Sequence, residues 1–325
     1  MKLLTVCIPC YNSIENMHKT ITSCLLMKEE IEVLIIDNNS TDETLEVARE
    51  YEKVYPEVIR VIENSNNEVV LNVGLNYSKG LYFKLLECGD YLDQPSLVNV
   101  IETLRDFIRI QANLDLLLTD YNYVTNQKKD RKISYKNVFP TETLFEWHSI
   151  KAFQKHFQVD IGAIIVKTSI LKGVKDKIEN DYFVNDLVMY GTVPYIKSMY
   201  YLQTYFHCYG SKKVVHFKDT DEYIKLIKKL WTMYNVYSLK SRRQRHYVIE
   251  QLSKTYVIVQ YLIIKNNELE KKEELDHVLQ ELNPKLFKAV THNLFGALFN
   301  IHNTKAQSII IKIFEKIYSD YVLEK

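Results

Sequence analysis

The chain reads as an α/β protein: a mainly parallel sheet flanked by helices, followed by a C-terminal all-helical domain. Three observations lead there. Apolar runs alternate with helix-periodic segments through the first hundred residues. Successive apolar runs stop in polar residues, as strands do at a ligand-binding sheet edge. From about Asp219 helical periodicity takes over.

Taken in order, Leu3–Ile8 has the length and composition of a strand, and Ile14–Met27 reads as a helix capped by Asn12 or Ser13. Ile31–Ile36 is a second strand and Leu45–Lys53 a helix. Val58–Ile62 is a short third strand, Val69–Tyr77 is helical, and Leu81–Leu86 is a fourth strand. An acidic turn with Glu87, Asp90 and Asp93 comes next, and Pro95 and Ser96 launch a helix through Leu104. Further on, Asp115–Tyr121 and Ile161–Lys167 are strands, Ser169–Gly173 is a short helix, and Ile196–Leu202 is a tyrosine-rich strand. Helices are expected at Tyr223–Tyr237, Arg242–Lys265, Glu268–Leu282 and Gln307–Leu323, with Asn283-Pro284 and His302-Asn303 as breaks. The domain boundary is placed near 218, giving 1–218 and 219–325.

Composition bounds the function. With 42 basic against 41 acidic residues the net charge is +1, so no global field favours nucleic acid. Five scattered cysteines in a chain of 325 residues read as reduced thiols of a cytoplasmic protein. Cys7 and Cys10 have redox spacing, but a strand between them sends the two thiols in different directions. No window approaches the roughly 20 apolar residues of a membrane-spanning helix.

The strand ends carry the functional signal. Tyr11-Asn12, Asp37-Asn38-Asn39, Asn64 to Glu68, and Glu87 to Asp90 would lie side by side at one sheet edge. Asn and Asp also form turns and caps, so a single such end means little. Their succession points to a nucleotide-type site. Neither Gly-x-Gly-x-x-Gly nor Gly-x-x-x-x-Gly-Lys-Ser/Thr is present, which argues against a Rossmann dehydrogenase and a P-loop NTPase.

Residues 6–12 (Val-Cys-Ile-Pro-Cys-Tyr-Asn) and 34–44 (Leu-Ile-Ile-Asp-Asn-Asn-Ser-Thr-Asp-Glu-Thr) resemble the opening motifs of the family 2 glycosyltransferases. So do Asn72 to Leu75, Gly80 to Lys84 and the Asp90-to-Asp93 turn. Phe183 to Asp186 and Val193 to Leu202 look like a Gram-positive capsular, exopolysaccharide or cell-surface subgroup. The resemblance implies a GT-A-like domain and inverting transfer of a sugar from a nucleotide diphosphate, taken here as UDP, in surface-polysaccharide or glycoconjugate synthesis. It implies that Pro9, Tyr11 and Asn12 flank the nucleotide, that Asp37 and Asn38 read the base, and that Asn72 lies in the segment closing over it; Asn66, at the polar end of the third strand, is a further nucleotide-binding candidate. Mn²⁺ or Mg²⁺ on the diphosphate is the implied cofactor.

Several positions depart from the pattern. Where the family has a second metal-binding Asp this chain has Gly89, which leaves Glu87 and Asp90 as the metal candidates. Asn185 stands where the subgroup has an Asp, so Asp186 is the candidate general base, an amide being unable to take a proton. Lys212 replaces an expected arginine as a point charge for the diphosphate. Two readings follow: an active transferase with a rearranged site, or a degenerate subunit that binds a nucleotide sugar or a partner transferase.

Other signals have ordinary explanations. His148, His156, His207 and His216 have no zinc-site spacing with the cysteines, and His207 and Cys208 read as packing. Trp147 and Tyr121 suit either an acceptor site or the core. The basic run from Lys240 to His246 and the amphipathic helix around Ile309 to Tyr318 suit solvent and helix docking. They also suit contact with a partner transferase or the inner face of the cell membrane, where an acceptor would be a glycan or lipid-linked sugar.

Overall fold

The computed structural model describes residues 1–124, 130–150, 153, 159–178, 183–210, 219–292 and 312. They form two compact units, one within residues 1–212 and one from 219 onward. The expected boundary near 218 lies outside the described residues.

The first unit begins as anticipated. Strands β1 (Leu4–Cys10), β2 (Ile31–Asp37), β3 (Ile59–Glu63) and β4 (Tyr82–Leu85) are mutually parallel in the order β3-β2-β1-β4. Helices α1 (Met17–Ser23), α2 (Thr44–Val54) and α3 (Val70–Tyr77) make the crossovers. Every residue of β2 is buried, as expected for a strand covered on both faces. Gly80 is required before β4, because a Cβ there would stand 2.5 Å from the Thr5 backbone nitrogen on β1.

Beyond β4 come β5 (Tyr91–Leu92), α4 (Gln94–Arg109), β6 (Leu116–Tyr123), β7 (Arg131–Ile133), β8 (Leu144–Phe145), β9 (Ile164–Lys167), α5 (Thr168–Val174), α6 (Val184–Thr192) and β10 (Met199–Tyr209). Asp93 caps α4 by accepting from the Ser96 N–H at 3.0 Å, and Leu97, Val100, Ile101 and Leu104 bury one face at helical spacing. Fully burying such a side chain contributes about 1.5–3 kcal/mol. The described strands join into a ten-stranded sheet, which is mixed. β9 runs antiparallel to both of its neighbours, β4 and β6, and β6 then pairs parallel with β10.

The second unit contains α7 (Thr220–Thr232), α8 (Arg242–Lys265), α9 (Leu269–Leu282) and α10 (Pro284–Thr291). Ser241 and Gln244 form a capping box at the start of α8. Its residues Thr255 to Ile263 are buried without interruption, so α8 is the central helix of this unit.

Some expected boundaries change. The first helix is shorter than Ile14–Met27, the tyrosine-rich strand continues to Tyr209, and the helix expected to reach Tyr237 stops at Thr232. Pro284 opens α10 where a break was expected. A proline is tolerated in a first helical turn, and Asn283 caps this one by accepting from Leu286 N–H at 3.0 Å. The expected helix at Gln307–Leu323 falls outside the described residues apart from Lys312. No helix among the described residues is long and apolar enough to cross a membrane.

Candidate active site

A cleft of about 310 Å³ opens at the carboxyl ends of β1, β2 and β4. Pro9, Cys10, Tyr11 and Ser13 line it from the end of β1, and Asn38 from the end of β2. Leu85, Glu87 and Cys88 come from β4 and its following turn, and Val70, Leu71 and Val184 from the starts of α3 and α6. Helix N-termini carry partial positive charge, which suits an anionic ligand.

The polar residues at the strand ends mostly hold one another. Asn38 donates its backbone N–H to Cys10 O at 2.9 Å, and its side-chain oxygen accepts from Asn64 Nδ2 at 2.8 Å. Asn64 also bonds both backbone groups of Glu68, at 2.7 and 3.1 Å, and so shapes the turn before α3. Asn12 sits at φ 46°, a left-handed conformation that asparagine tolerates. Its Oδ1 accepts from Thr41 N–H at 2.8 Å, and its own N–H donates to Ser40 Oγ at 3.1 Å. Asn12 therefore ties the end of β1 to the loop after β2, and it does not line the cleft.

Asp37 differs from these. It is buried, and its Oδ2 accepts from Ser40 N–H at 3.2 Å. Its Oδ1 is buried with no hydrogen-bond partner among the described residues. Leaving such an acceptor unsatisfied costs about 1–3 kcal/mol, and more for a charged group.

The remaining candidates divide. Pro9, Tyr11, Asn38 and Glu87 line the cleft. Asn66 is exposed on the turn after β3, and Asn72 on α3 donates to Ile178 O at 3.1 Å instead of lining the cleft. Asp186 is half-buried in the first turn of α6, two residues after Val184. Lys212 lies outside the described residues.

The metal pair is not assembled as a ligand set. Asp90 is 3% exposed; its Oδ2 lies 3.0 Å from His207 Nε2, and its Oδ1 accepts from Gly210 N–H at 3.1 Å. Glu87 faces the cleft, Gly89 offers no side chain, and among the described residues no group of three or more His, Cys, Asp or Glu could hold a metal. Mg²⁺ on a phosphate ligand is commonly held by one or two carboxylates, with waters and phosphate oxygens completing the set. Of the two candidates Glu87 lines the cleft, while both carboxylate oxygens of Asp90 are engaged within the protein.

Two features escaped the sequence reading. His207, expected only to pack, is the buried partner of Asp90. Cys10 and Cys88 both line the cleft; the influence of Cys88, with burial, pushes the Cys10 thiol up, and Cys10 holds the Cys88 thiol below its ordinary value. Trp147 belongs to the core, its indole N–H donating to Ile196 O at 2.8 Å. Tyr121 is likewise buried, edge-on to Tyr123 and Tyr209.

Residues 5–157 match the family Glycosyl transferase family 2. That stretch, just under half of the chain, is similar to a family 2 glycosyltransferase domain. Over 127 residues it is 34% identical to the poly(ribitol-phosphate) β-N-acetylglucosaminyltransferase TarP of Staphylococcus aureus, covering 37% of each chain. Over 159 residues it is 28% identical to the glycosyltransferase AglE of Haloferax volcanii, covering 45% of this chain and 52% of AglE. The aligned stretches thus span about half or less of these relatives. In structure the chain is similar to S. aureus TarS residues 1–349, with a TM-score of 0.64, 15% identity and coverage of 98% and 92% of the two chains. That likeness is one of fold, and it is GT-A-like.

Proposed function

We propose that the chain is an inverting glycosyltransferase. It moves a sugar from a nucleotide diphosphate donor, UDP-linked, to a glycan or glycolipid acceptor in surface-polysaccharide or glycoconjugate synthesis. The observation that carries this reading is Asp37: a buried carboxylate oxygen without a partner among the described residues, at the sheet edge beside the cleft. A nucleobase N–H would satisfy it, with Asn38 held alongside by Asn64. Pro9 and Tyr11 flank the nucleotide, and the starts of α3 and α6 lie where charge builds on the leaving diphosphate. Lys212 adds a positive charge. Asp186 is the general base that takes the acceptor hydroxyl proton as the hydroxyl oxygen attacks the anomeric carbon. Relatives such as TarP, named for sugar transfer to poly(ribitol phosphate), support a cell-surface acceptor.

One observation favours a binding subunit without turnover. Asp90, the acid nearest the family's metal position, is bonded to His207 and Gly210. Calorimetric titration with UDP and GDP, each with and without Mn²⁺, tests the donor site. Transfer assays with a panel of UDP-sugars separate the two readings. Binding of neither nucleotide would refute the transferase reading, and binding without any turnover would favour the subunit.

A further inference from the structure

Asp160 has no part in the roles given above. It precedes the short 3-10 turn Ile161–Ala163 that leads into β9. Because β9 is antiparallel to β4 and β6, that turn lies at the edge where those two strands end. Lys84 of β4, 1% exposed, donates its Nζ to Ile161 O at 3.1 Å and to Gly162 O at 3.0 Å. Gly162 N–H donates to Asp160 Oδ1 at 2.7 Å, and the hydroxyl of Tyr209, the buried last residue of β10, donates to the same oxygen. Gly162 makes room for that second bond, since a Cβ there would stand 2.5 Å from the Tyr209 hydroxyl oxygen. Asp160 N–H in turn donates to Tyr135 Oη at 3.1 Å. Capping the turn requires only the bond from Gly162. The other contacts fix the carboxylate itself, and they leave Oδ2 alone. It has no hydrogen-bond partner among the described residues, and Asp160 is only half-buried. An ionised carboxylate offers about four acceptor sites over its two oxygens, so Oδ2 is an open acceptor held in a set place.

Its place in the sheet indicates what it accepts from. The strand order β3-β2-β1-β4-β9-β6-β10 sets β9, β6 and β10 on the far side of β4 from β1 and β2, whose ends line the cleft. Tyr209 stacks on Tyr123, the last residue of β6, with ring centroids 4.9 Å apart and planes at 18°, and Tyr123 is half-buried. Gly210, the residue after Tyr209, holds Asp90. Consecutive residues at the end of β10 thus tie Asp160 to the acidic turn that carries Glu87. An aromatic ring and a fixed carboxylate oxygen suit a neutral sugar: its C–H face packs on the ring, and its hydroxyls make charge-assisted O–H···O⁻ bonds. We infer that Asp160 binds the acceptor sugar, its Oδ2 taking a hydroxyl hydrogen bond with the Tyr123 ring alongside. The inference rests on the transferase reading proposed above and adds a location to it. The donor nucleotide lies at the ends of β1 and β2, and the acceptor at the start of β9 and the ends of β6 and β10. Asp160 makes and breaks no covalent bond; it orients the acceptor while another group takes the proton.

The test uses the full chain with two neutral probes, methyl β-D-glucopyranoside and methyl N-acetyl-β-D-glucosaminide, read by saturation-transfer NMR, and with UDP read by calorimetry. Asp160→Asn keeps an oxygen for Gly162 and Tyr209 and puts an NH₂ group where Oδ2 was. The expected result is saturation transfer to at least one glycoside in the wild type, a signal at least tenfold lower in Asp160→Asn, and the same UDP affinity in both. Absence of any glycoside signal in the wild type overturns the site, and so does an equal signal in the variant. Parallel loss of glycoside and UDP binding in the variant also overturns it, because Asp160 would then only hold the fold. Should Asp160→Asn fail to fold, Tyr123→Leu reads the same site, and unchanged glycoside binding in it overturns the inference. A wild-type protein that binds no UDP, yet binds a glycoside that Asp160→Asn loses, supports the sugar site and refutes the transferase reading.

Discussion

The Oδ2 of Asp90 lies 3.0 Å from His207 Nε2 with both side chains almost wholly buried, so the turn after β4 is fastened to the far end of β10. Gly210 N–H completes the clamp on Oδ1 at 3.1 Å. His207→Ala removes a donor from a buried carboxylate, and the expected loss is about 1–3 kcal/mol. His207→Gln keeps an N–H and loses less. Urea unfolding of the two variants should show that order, and equal losses would mean that packing alone accounts for His207.

Asp37 is expected to recognise the donor base. Asp37→Ala should weaken UDP binding by about 1.5–3 kcal/mol, the range for hydrogen bonds to charged groups, which is roughly 10- to 150-fold. Calorimetry reads this directly. Unchanged affinity would place the nucleotide elsewhere.

Asp186→Asn should lower the turnover rate by about 10²–10⁴-fold while leaving UDP affinity unchanged, the signature of a lost general base. A variant that transfers sugar at the wild-type rate would show that another residue takes the proton.

Asp120 on β6 is fully buried. Its Oδ1 accepts from Tyr201 Oη at 2.7 Å and Tyr135 N–H at 3.0 Å, while its Oδ2 has no partner among the described residues. Burial pushes its carboxyl above the ordinary value of 3.8, against the hydrogen bonds that favour the anion. Because the folded value is the higher one, the stability this group contributes is complete below pH 3.8 and is lost as pH rises through the folded value. Asp120→Asn keeps the Oδ1 acceptor and removes the charge. Its stability relative to wild type should therefore rise from acid to neutral pH, as measured by denaturant midpoints at a series of pH values. A flat difference would show that Asp120 does not titrate abnormally.

Much of the parallel half of the sheet was legible because each of its strands is an apolar run bounded by helical spacing. The β5, β7 and β8 segments were not, since two or three residues carry no periodicity and owe their strand form to the partners they pair with. The direction of β9 was equally hidden, because an apolar run such as Ile164–Lys167 reads the same whichever way it lies. At the site, the strand-end asparagines were visible as residue types, but whether each faces a ligand or a neighbour was not. Asn12 turned to Thr41, whereas Asn38 reached the cleft. Asp90 looked like a metal ligand because its partner His207 is 117 residues away in sequence. That Cys10 and Cys88 share one cleft needed the β1–β4 pairing, which joins residues 78 apart in the chain.

The antiparallel β9 also fixes an order of events during synthesis. β4 and β6 do not pair with each other; both wait for residues 164–167. As the chain leaves the ribosome, each presents an open row of N–H and C=O groups until that late segment arrives. Such edges invite pairing with other chains. The family match ends at residue 157, just short of the strand that seals them. A polypeptide stopped there would carry the opening motifs and the acidic turn and still behave as a sticky, unfinished sheet.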